Sequence, residues 1–179
     1  MSARWLVFAL VSTAVGAAPP LETEPPRVSQ LLRTIDQPPS KEQWVAAGGA
    51  RVAQTLRAAA TRGSLVERRA ALAALALFDD EATRTTLRAV VLTDAQPVFR
   101  KQAVETLGLV LGPRAVEDPV VVRALDDAEP MVRRAAIRAI ARGPAPNVRR
   151  LLEPVAAREQ DDETKAVLEQ ARRLWRAQP

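Results

Sequence analysis

The sequence predicts an all-α protein built from repeated pairs of helices. Aromatic residues make up 3% of the 179 residues, so the apolar 47% is mostly Ala, Leu, Val and Ile, which suit helices packed closely on helices. No stretch alternates polar and apolar residues with period two, so no strand is expected. A segment with an Asp, a Pro and an Arg begins near Asp94 and recurs near Asp127, a period typical of helical repeat arrays.

The first residues have the order of a secretory signal peptide. Arg4 precedes an apolar stretch over residues 5–15, and small residues follow up to Ala18. The stretch is shorter than the roughly 20 residues that a membrane-spanning helix needs. We expect a signal peptide over residues 1–17 and a mature protein that is periplasmic or secreted, with no transmembrane anchor after cleavage. A buried N-terminal helix is the alternative, although the stretch lacks a polar face.

Residues 18–39 are expected to form a Pro-rich linker. Six prolines fall between Pro19 and Pro39, and they prevent one continuous helix. Apolar residues at positions i, i+3, i+4 and i+7 predict a short amphipathic helix within the linker. This helix can dock on the rest of the chain through Val28, Leu31, Leu32 and Ile35.

Residues 40–179 are predicted to form the repeat domain. Ser40 and Gln43 have the spacing of a capping box at the start of its first helix. The pair Gly48 and Gly49 lies within that helix and lacks the Lys-Ser/Thr of a phosphate-binding loop, so it indicates close helix packing. Gly, Pro and Asp mark the ends of the helices. The predicted helices span residues 41–61, 65–77, 80–92, 97–110, 114–125, 130–142, 145–158 and 162–176.

The internal repeat is clearest in the two middle helix pairs. "LTDAQPVFRKQA" (residues 92–103) matches "LDDAEPMVRRAA" (residues 125–136) at an offset of 33, and "VERRAALAAL" (residues 66–75) keeps the register upstream at an offset of 32. Asp-x-x-Pro-x-x-Arg followed by an Ala- and Leu-rich helix resembles the HEAT repeat, including the HEAT-like form of phycobilisome lyases. The resemblance implies a right-handed α-solenoid of about four helix pairs over residues 41–176, whose outer pairs depart most from the motif.

Two Asp–Arg pairs are the candidate contacts between repeats. In the HEAT family the turn Asp and the helix Arg form a structural ladder. A guanidinium six residues after a turn Asp reaches the Asp of its own unit or of the neighbouring unit. Ligand binding is the alternative role for these side chains. The resemblance implies the ladder for Asp94, Arg100, Asp127 and Arg133.

A second set of basic residues is the candidate binding surface. Stacked repeats align this set as a positive stripe on the second helix of each pair, which in the HEAT family lines the concave surface. A solvated helix face is the alternative. The net charge of +5 comes almost entirely from arginine, which fits either an anionic partner or a GC-rich genome. The stripe consists of Arg69, Lys101 and Arg134 at equivalent repeat positions, of Lys165 if the last unit is shifted in register, and of Arg138 one turn on.

The catalytic chemistry open to this chain is narrow. It has no Cys and no His, which excludes thiol and imidazole catalysis, disulfides, and the zinc or haem sites that need these ligands. Three acidic groups begin at Asp79, Asp126 and Asp161, and each precedes a predicted helix. Capping of the helix explains them better than a metal site does. We therefore expect no enzyme activity, no cofactor and no metal.

The function that this architecture predicts is protein binding. An extended helical array is typical of a scaffold or adaptor, here an exported one that binds protein partners, acidic ones among them. Nucleic acid is not expected as a partner, because the signal peptide conflicts with it. The alternatives are a structural subunit of an envelope complex, a bilin-lyase-like enzyme suggested by fold analogy alone, and a nucleic-acid-binding repeat protein if the chain is not exported.

Overall fold

The protein is an all-α solenoid, as the sequence predicts. The computed structural model describes residues 26–33 and 38–177, and this part of the chain contains no strand. The predicted signal peptide lies outside the described residues. The helices are α1 (Pro26–Leu32), α2 (Lys41–Gly48), α3 (Val52–Arg62), α4 (Leu65–Ala74), α5 (Glu81–Thr93), α6 (Pro97–Leu111), α7 (Pro119–Arg123), α8 (Pro130–Ile140), α9 (Ala145–Arg158) and α10 (Asp162–Arg176).

The helices pair as α3 with α4, α5 with α6, α7 with α8, and α9 with α10. The second helices α4, α6, α8 and α10 contact one another in succession, and they form one layer of the solenoid. The first helices α3, α5 and α7 also contact in succession. Aliphatic side chains between the layers form the core, among them Leu56, Leu72, Leu87, Leu107, Ile137 and Leu152. The right-handed sense of the superhelix stays a prediction. None of the described helices has the length and apolar character needed to cross a membrane.

Local sequence signals explain where several helices begin. Ser40 and Ser64 each accept a hydrogen bond from a backbone amide three residues on, and the side chain at that position bonds back to the serine amide. These are capping boxes. Pro97 and Pro130 occupy the first residue of α6 and α8, where the missing proline N–H leaves no helical bond unmade.

Two predicted helices are wrong in extent. The first is interrupted after α2, because Gly49 adopts a positive φ of 58° that favours glycine. Gly48 does mark close packing, since a Cβ atom there would lie 3.0 Å from a methyl group of Val28. The predicted helix 114–125 contains only the five-residue α7, which begins at Pro119 because proline cannot donate the amide that a continuing helix needs.

A short helix lies where the sequence predicts one in the linker. Val28 and Leu32 are buried in α1, which packs against α2 and α4. The Nη2 atom of Arg33 lies 3.1 Å from Glu67 Oε1 and ties the end of α1 to α4. Ile35, the fourth predicted contact residue, lies outside the described residues. Helix α1 is thus part of the packed structure.

The second helices α6 and α8 approach each other closely at Gly108. A Cβ atom at this position of α6 would lie 2.6 Å from the Cβ of Ala139 in α8, well inside van der Waals contact. The absence of a side chain therefore sets how closely α6 and α8 pack.

Gly108→Ala is expected to destabilise the protein by about 0.5–2 kcal/mol. The gain in helix propensity is about 1 kcal/mol, whereas overpacking against a backbone-anchored methyl group costs about 1–3 kcal/mol. Urea unfolding measures the change. Ala139→Gly should cost less stability in the Gly108→Ala background than in the wild type, because it removes the clash. A Gly108→Ala variant more stable than the wild type would contradict this packing.

Candidate functional site

Arg100 joins the second repeat to the third. Its Nε and Nη2 atoms donate to the two carboxylate oxygens of Asp127, both at 2.8 Å. Its Nη1 atom donates to the backbone carbonyl of Asp94 at 3.0 Å. One planar guanidinium thus closes the turn of its own unit and binds the acidic side chain of the next.

Arg133 repeats this geometry between the third and fourth repeats. Its Nε and Nη2 atoms donate to Glu159 at 2.8 and 2.7 Å, and its Nη1 atom donates to the carbonyls of Asp127 and Ala128, each at 3.0 Å. A glutamate takes the place that aspartate has one repeat earlier. Its longer side chain serves the same bidentate contact.

Arg68 makes the corresponding contact between the first and second repeats. It donates to the carboxylate of Asp94 through Nη2 and to the carbonyl of Ala60 through Nε, the latter at 3.1 Å. Its guanidinium carbon also lies 3.8 Å from the centre of the Phe99 ring, a cation–π contact. The three arginines and their acidic partners form the inter-repeat ladder.

The structure assigns the ladder two members that were not predicted, Arg68 and Glu159. Both carried a signal, because Arg68 precedes Arg100, and Glu159 follows Asp127, at the offset of the upstream repeat. Spacing alone left open whether each arginine reaches the Asp of its own unit. In the structure each carboxylate comes from the following unit, and the arginine meets only the backbone carbonyls of its own turn.

The ladder charges stabilise one another. The hydrogen bond from Arg133 lowers the pKa of Glu159 below its ordinary value, and two backbone amides add to the effect. Burial raises the pKa of Asp127, but the bond from Arg100, a backbone amide and nearby positive charges outweigh it, so this pKa is also lowered. These carboxylates are therefore ionised at neutral pH.

A second series of ion pairs joins the first helices. Arg57 of α3 contacts Asp80 at 3.2 Å, and Arg88 of α5 contacts Asp118 at 2.9 Å. Both aspartates are also N-caps, of α5 and α7 respectively. Each thus satisfies free amides of its own helix and binds the preceding repeat.

The acidic groups do not all serve as caps. Asp161 caps α10 by accepting from the Thr164 amide at 2.8 Å, in agreement with the expectation. Asp127 instead accepts from the amide of Glu129, which precedes the first residue of α8, so it stabilises the turn. The described residues contain no group of three or more acidic side chains placed to hold a metal ion.

Ion pairs within the chain engage three of the five residues of the predicted basic stripe. Arg134 bonds to the N-cap of α10, with its Nη1 atom 2.9 Å from Asp161 Oδ2. Lys101 pairs with an acid on its own helix at 3.1 Å, as does Lys165 at 2.9 Å. Arg69 and Arg138 are exposed, and within the described chain neither forms an ion pair. The five residues therefore do not form one free positive surface.

An apolar groove of about 850 Å³ lies over α4. Side chains of α1, α2 and the 38–40 segment form one wall, and the start of α6 forms the other. Arg69 is the only charged side chain in the lining of the described residues. Trp44 lies at the buried side, and its indole N–H has no hydrogen-bond partner there. The lining on α4 includes Leu65, Val66, Ala70, Ala73 and Ala74, and Leu77 in the 3₁₀ turn after α4 adds to it.

This groove has no direct signal in the sequence. Helical spacing assigns apolar residues of α4 to a buried face, yet Leu65 and Val66 are exposed. Which side of α4 stays exposed depends on where α1 and α6 pack against it. These are tertiary contacts, which helical spacing does not predict. Of the predicted stripe, only Arg69 belongs to the groove.

Comparison with known families gives a match over the second half of the chain. Residues 91–172 match the family described as HEAT repeats, a range that includes the Arg100 and Arg133 contacts. This part of the chain consists of HEAT repeats. HEAT repeats commonly act as scaffolds for protein–protein interaction. No curated protein and no solved structure matches the chain.

Arg100→Ala is expected to lower the free energy of unfolding by about 2–4 kcal/mol, because it leaves the Asp127 carboxylate partly buried without its partner. The side chains of this pair are only 16% and 12% exposed. The matched control is Arg158→Ala, which breaks a pair with Asp126 in the same turn, 59% and 62% exposed. We expect the control to cost at most about 1 kcal/mol in urea unfolding. Equal costs would show that the ladder has no special role.

Low pH is expected to lower the free energy of unfolding, because the ladder carboxylates become protonated. The unfolded chain protonates Glu159 and Asp127 at a higher pH than the folded chain does, because folding lowers both pKa values. The free energy of unfolding should stay nearly constant from about pH 7 to pH 5 and fall below about pH 4.5. In Arg133→Gln the acid-induced loss should be smaller, since folding then lowers the pKa of Glu159 less. Parallel pH profiles for the two proteins, measured by denaturant unfolding, would contradict this.

Proposed function

We propose that this HEAT-repeat protein is an exported adaptor that binds a protein partner through the apolar groove over α4. The observation that carries the proposal is the exposure of large apolar side chains on a surface that is otherwise rich in ion pairs. Val66 of α4 and Val98 of α6 both line the groove and are about half exposed. Contiguous exposed apolar surface of this kind is typical of interaction sites.

The ion pairs of the second helices argue against the basic stripe as the docking surface, and this favours the groove. Arg134 and Lys101 already have acidic partners within the chain. Binding an acidic partner through them would require these contacts to break, which reduces the net gain. The aliphatic side chains that line the groove carry no charge, so docking against them breaks no ion pair.

The composition supports binding in preference to catalysis. The groove is lined by aliphatic side chains, with Ser40, Arg69, Gln96 and Gln102 among its few polar groups. The hydroxyl in the lining, Ser40, donates to Glu42 Oε2 at 2.7 Å and accepts from the Gln43 amide, so its contacts are those of the N-cap of α2. Export rests on the order of basic, apolar and small residues before Ala18.

Val66→Glu is expected to reduce capture of the partner at least about tenfold, because a carboxylate in the groove must be desolvated on binding. The matched control is Leu109→Glu, on the second helix α6 but outside the groove; Leu109 is 59% exposed and Val66 is 53% exposed. Full-length variants are cross-linked in the cells that produce them, and captured proteins are quantified by mass spectrometry. Thermal unfolding verifies that both variants are folded.

Three results would contradict the proposal. Equal capture by Val66→Glu and the wild type would exclude the groove as the docking surface. Loss of capture in Leu109→Glu as well would place the contact outside the groove. The same sample reports on export, because the exported chain should begin near Ala18; a cytosolic chain that retains Met1 would refute that part.

A further inference from the structure

The groove follows one face of α4 for about three helical turns. Its lining residues Val66, Ala70 and Ala73 on α4 are spaced i, i+4 and i+7, and Leu77 in the 3₁₀ turn that follows continues this face at i+11. At a rise of 1.5 Å per residue, this face is about 16 Å long. An occupant that fills the groove therefore lies along α4 over a similar length.

The lining favours an occupant whose backbone is already hydrogen-bonded. An extended peptide would bring free N–H and C=O groups against aliphatic side chains, and burying such groups unpaired is costly. The described part of the chain has no strand edge to pair with them. A helix satisfies its own backbone and offers apolar side chains at matching intervals.

The exposure of the groove to solvent also favours a helix as the occupant. One side of any occupant faces water, because Leu65 and Val66 stand exposed at the rim. An acyl chain would leave apolar surface uncovered on that side. An amphipathic helix presents its polar face there instead.

Arg69 favours an occupant with a negatively charged side chain. It is exposed in the groove lining, where the described residues include no carboxylate. The nearby acid Glu67 is engaged by Arg33 and by the Ser64 amide. Beside apolar walls a charge pair is less screened than in open water, so an opposite charge on the occupant is favoured.

We propose that the groove binds an amphipathic helix of a partner protein, with apolar side chains along α4 and an Asp or Glu placed against Arg69. This inference rests on the proposed function, since it specifies the partner of the same groove. The indole N–H of Trp44 is no part of the contact, because it is buried from solvent.

A peptide library tests the inference without knowledge of the natural partner. Random peptides of about 14 residues are displayed on phage and selected against the full chain and three variants: Arg69→Glu, Val66→Glu and Leu109→Glu. Wild type and Leu109→Glu should enrich peptides with apolar residues at i, i+3 or i+4, and i+7, together with Asp or Glu. Arg69→Glu should reverse the charge preference to Lys or Arg. Synthetic acidic peptides should bind Arg69→Glu at least about tenfold more weakly in fluorescence anisotropy, and circular dichroism should show helix formation on binding.

The outcomes separate the inference from the proposed function. If Val66→Glu abolishes selection but Arg69→Glu keeps the acidic preference, the assigned charge contact is wrong and the groove remains the docking surface. Enriched peptides without apolar residues at helical spacing would contradict the inference that the occupant is a helix. If Val66→Glu selects the same peptides as the wild type, both proposals fail. Arg69-dependent binding of dodecanoate, with no helical peptide enriched, would assign the groove to an acyl chain and overturn the inference.

Discussion

The bidentate bond from each ladder arginine to the acid of the next turn is the contact on which the solenoid depends. The same guanidinium also bonds carbonyls of its own turn, so Arg100 and Arg133 each hold two turns at a set distance. Lysine has no planar fork of donors and cannot make both sets of bonds at once. This spacing of the turns is compatible with the close approach of the second helices that the missing side chain at Gly108 allows against Ala139.

The ladder also explains why the basic composition says little about partners. Arginines at the repeat junctions are engaged in internal contacts, both between second helices and between first helices. At the C-terminal end, Lys165 follows Arg133 at the repeat offset, and it pairs with Asp162 of its own helix. This charge is thus engaged within its own helix.

The candidate binding surface lies where the repetition fails. Within the array each second helix is covered by the next, but α4 is covered on its outer side by α1, a helix of seven residues. Val28 and Leu32 bury only part of the α4 face. The remaining apolar surface, with Arg69 beside it, becomes the groove. The opening therefore lies beside the short helix α1, between it and the start of α6.

Periodicity in the chain predicts the helices, the repeat register and four of the six ladder residues, because local propensity and a recurring offset both act along the sequence. The position of the acidic groups before predicted helices likewise predicts helix caps, and Asp80 and Asp161 are the N-caps of α5 and α10. Only the tertiary structure shows that Arg134 is engaged by Asp161, that α2 ends at Gly48, and that the face of α4 stays open. Such features depend on which surfaces meet in space. Helical spacing reports which side of a helix is apolar, whereas packing decides how much of that side is covered.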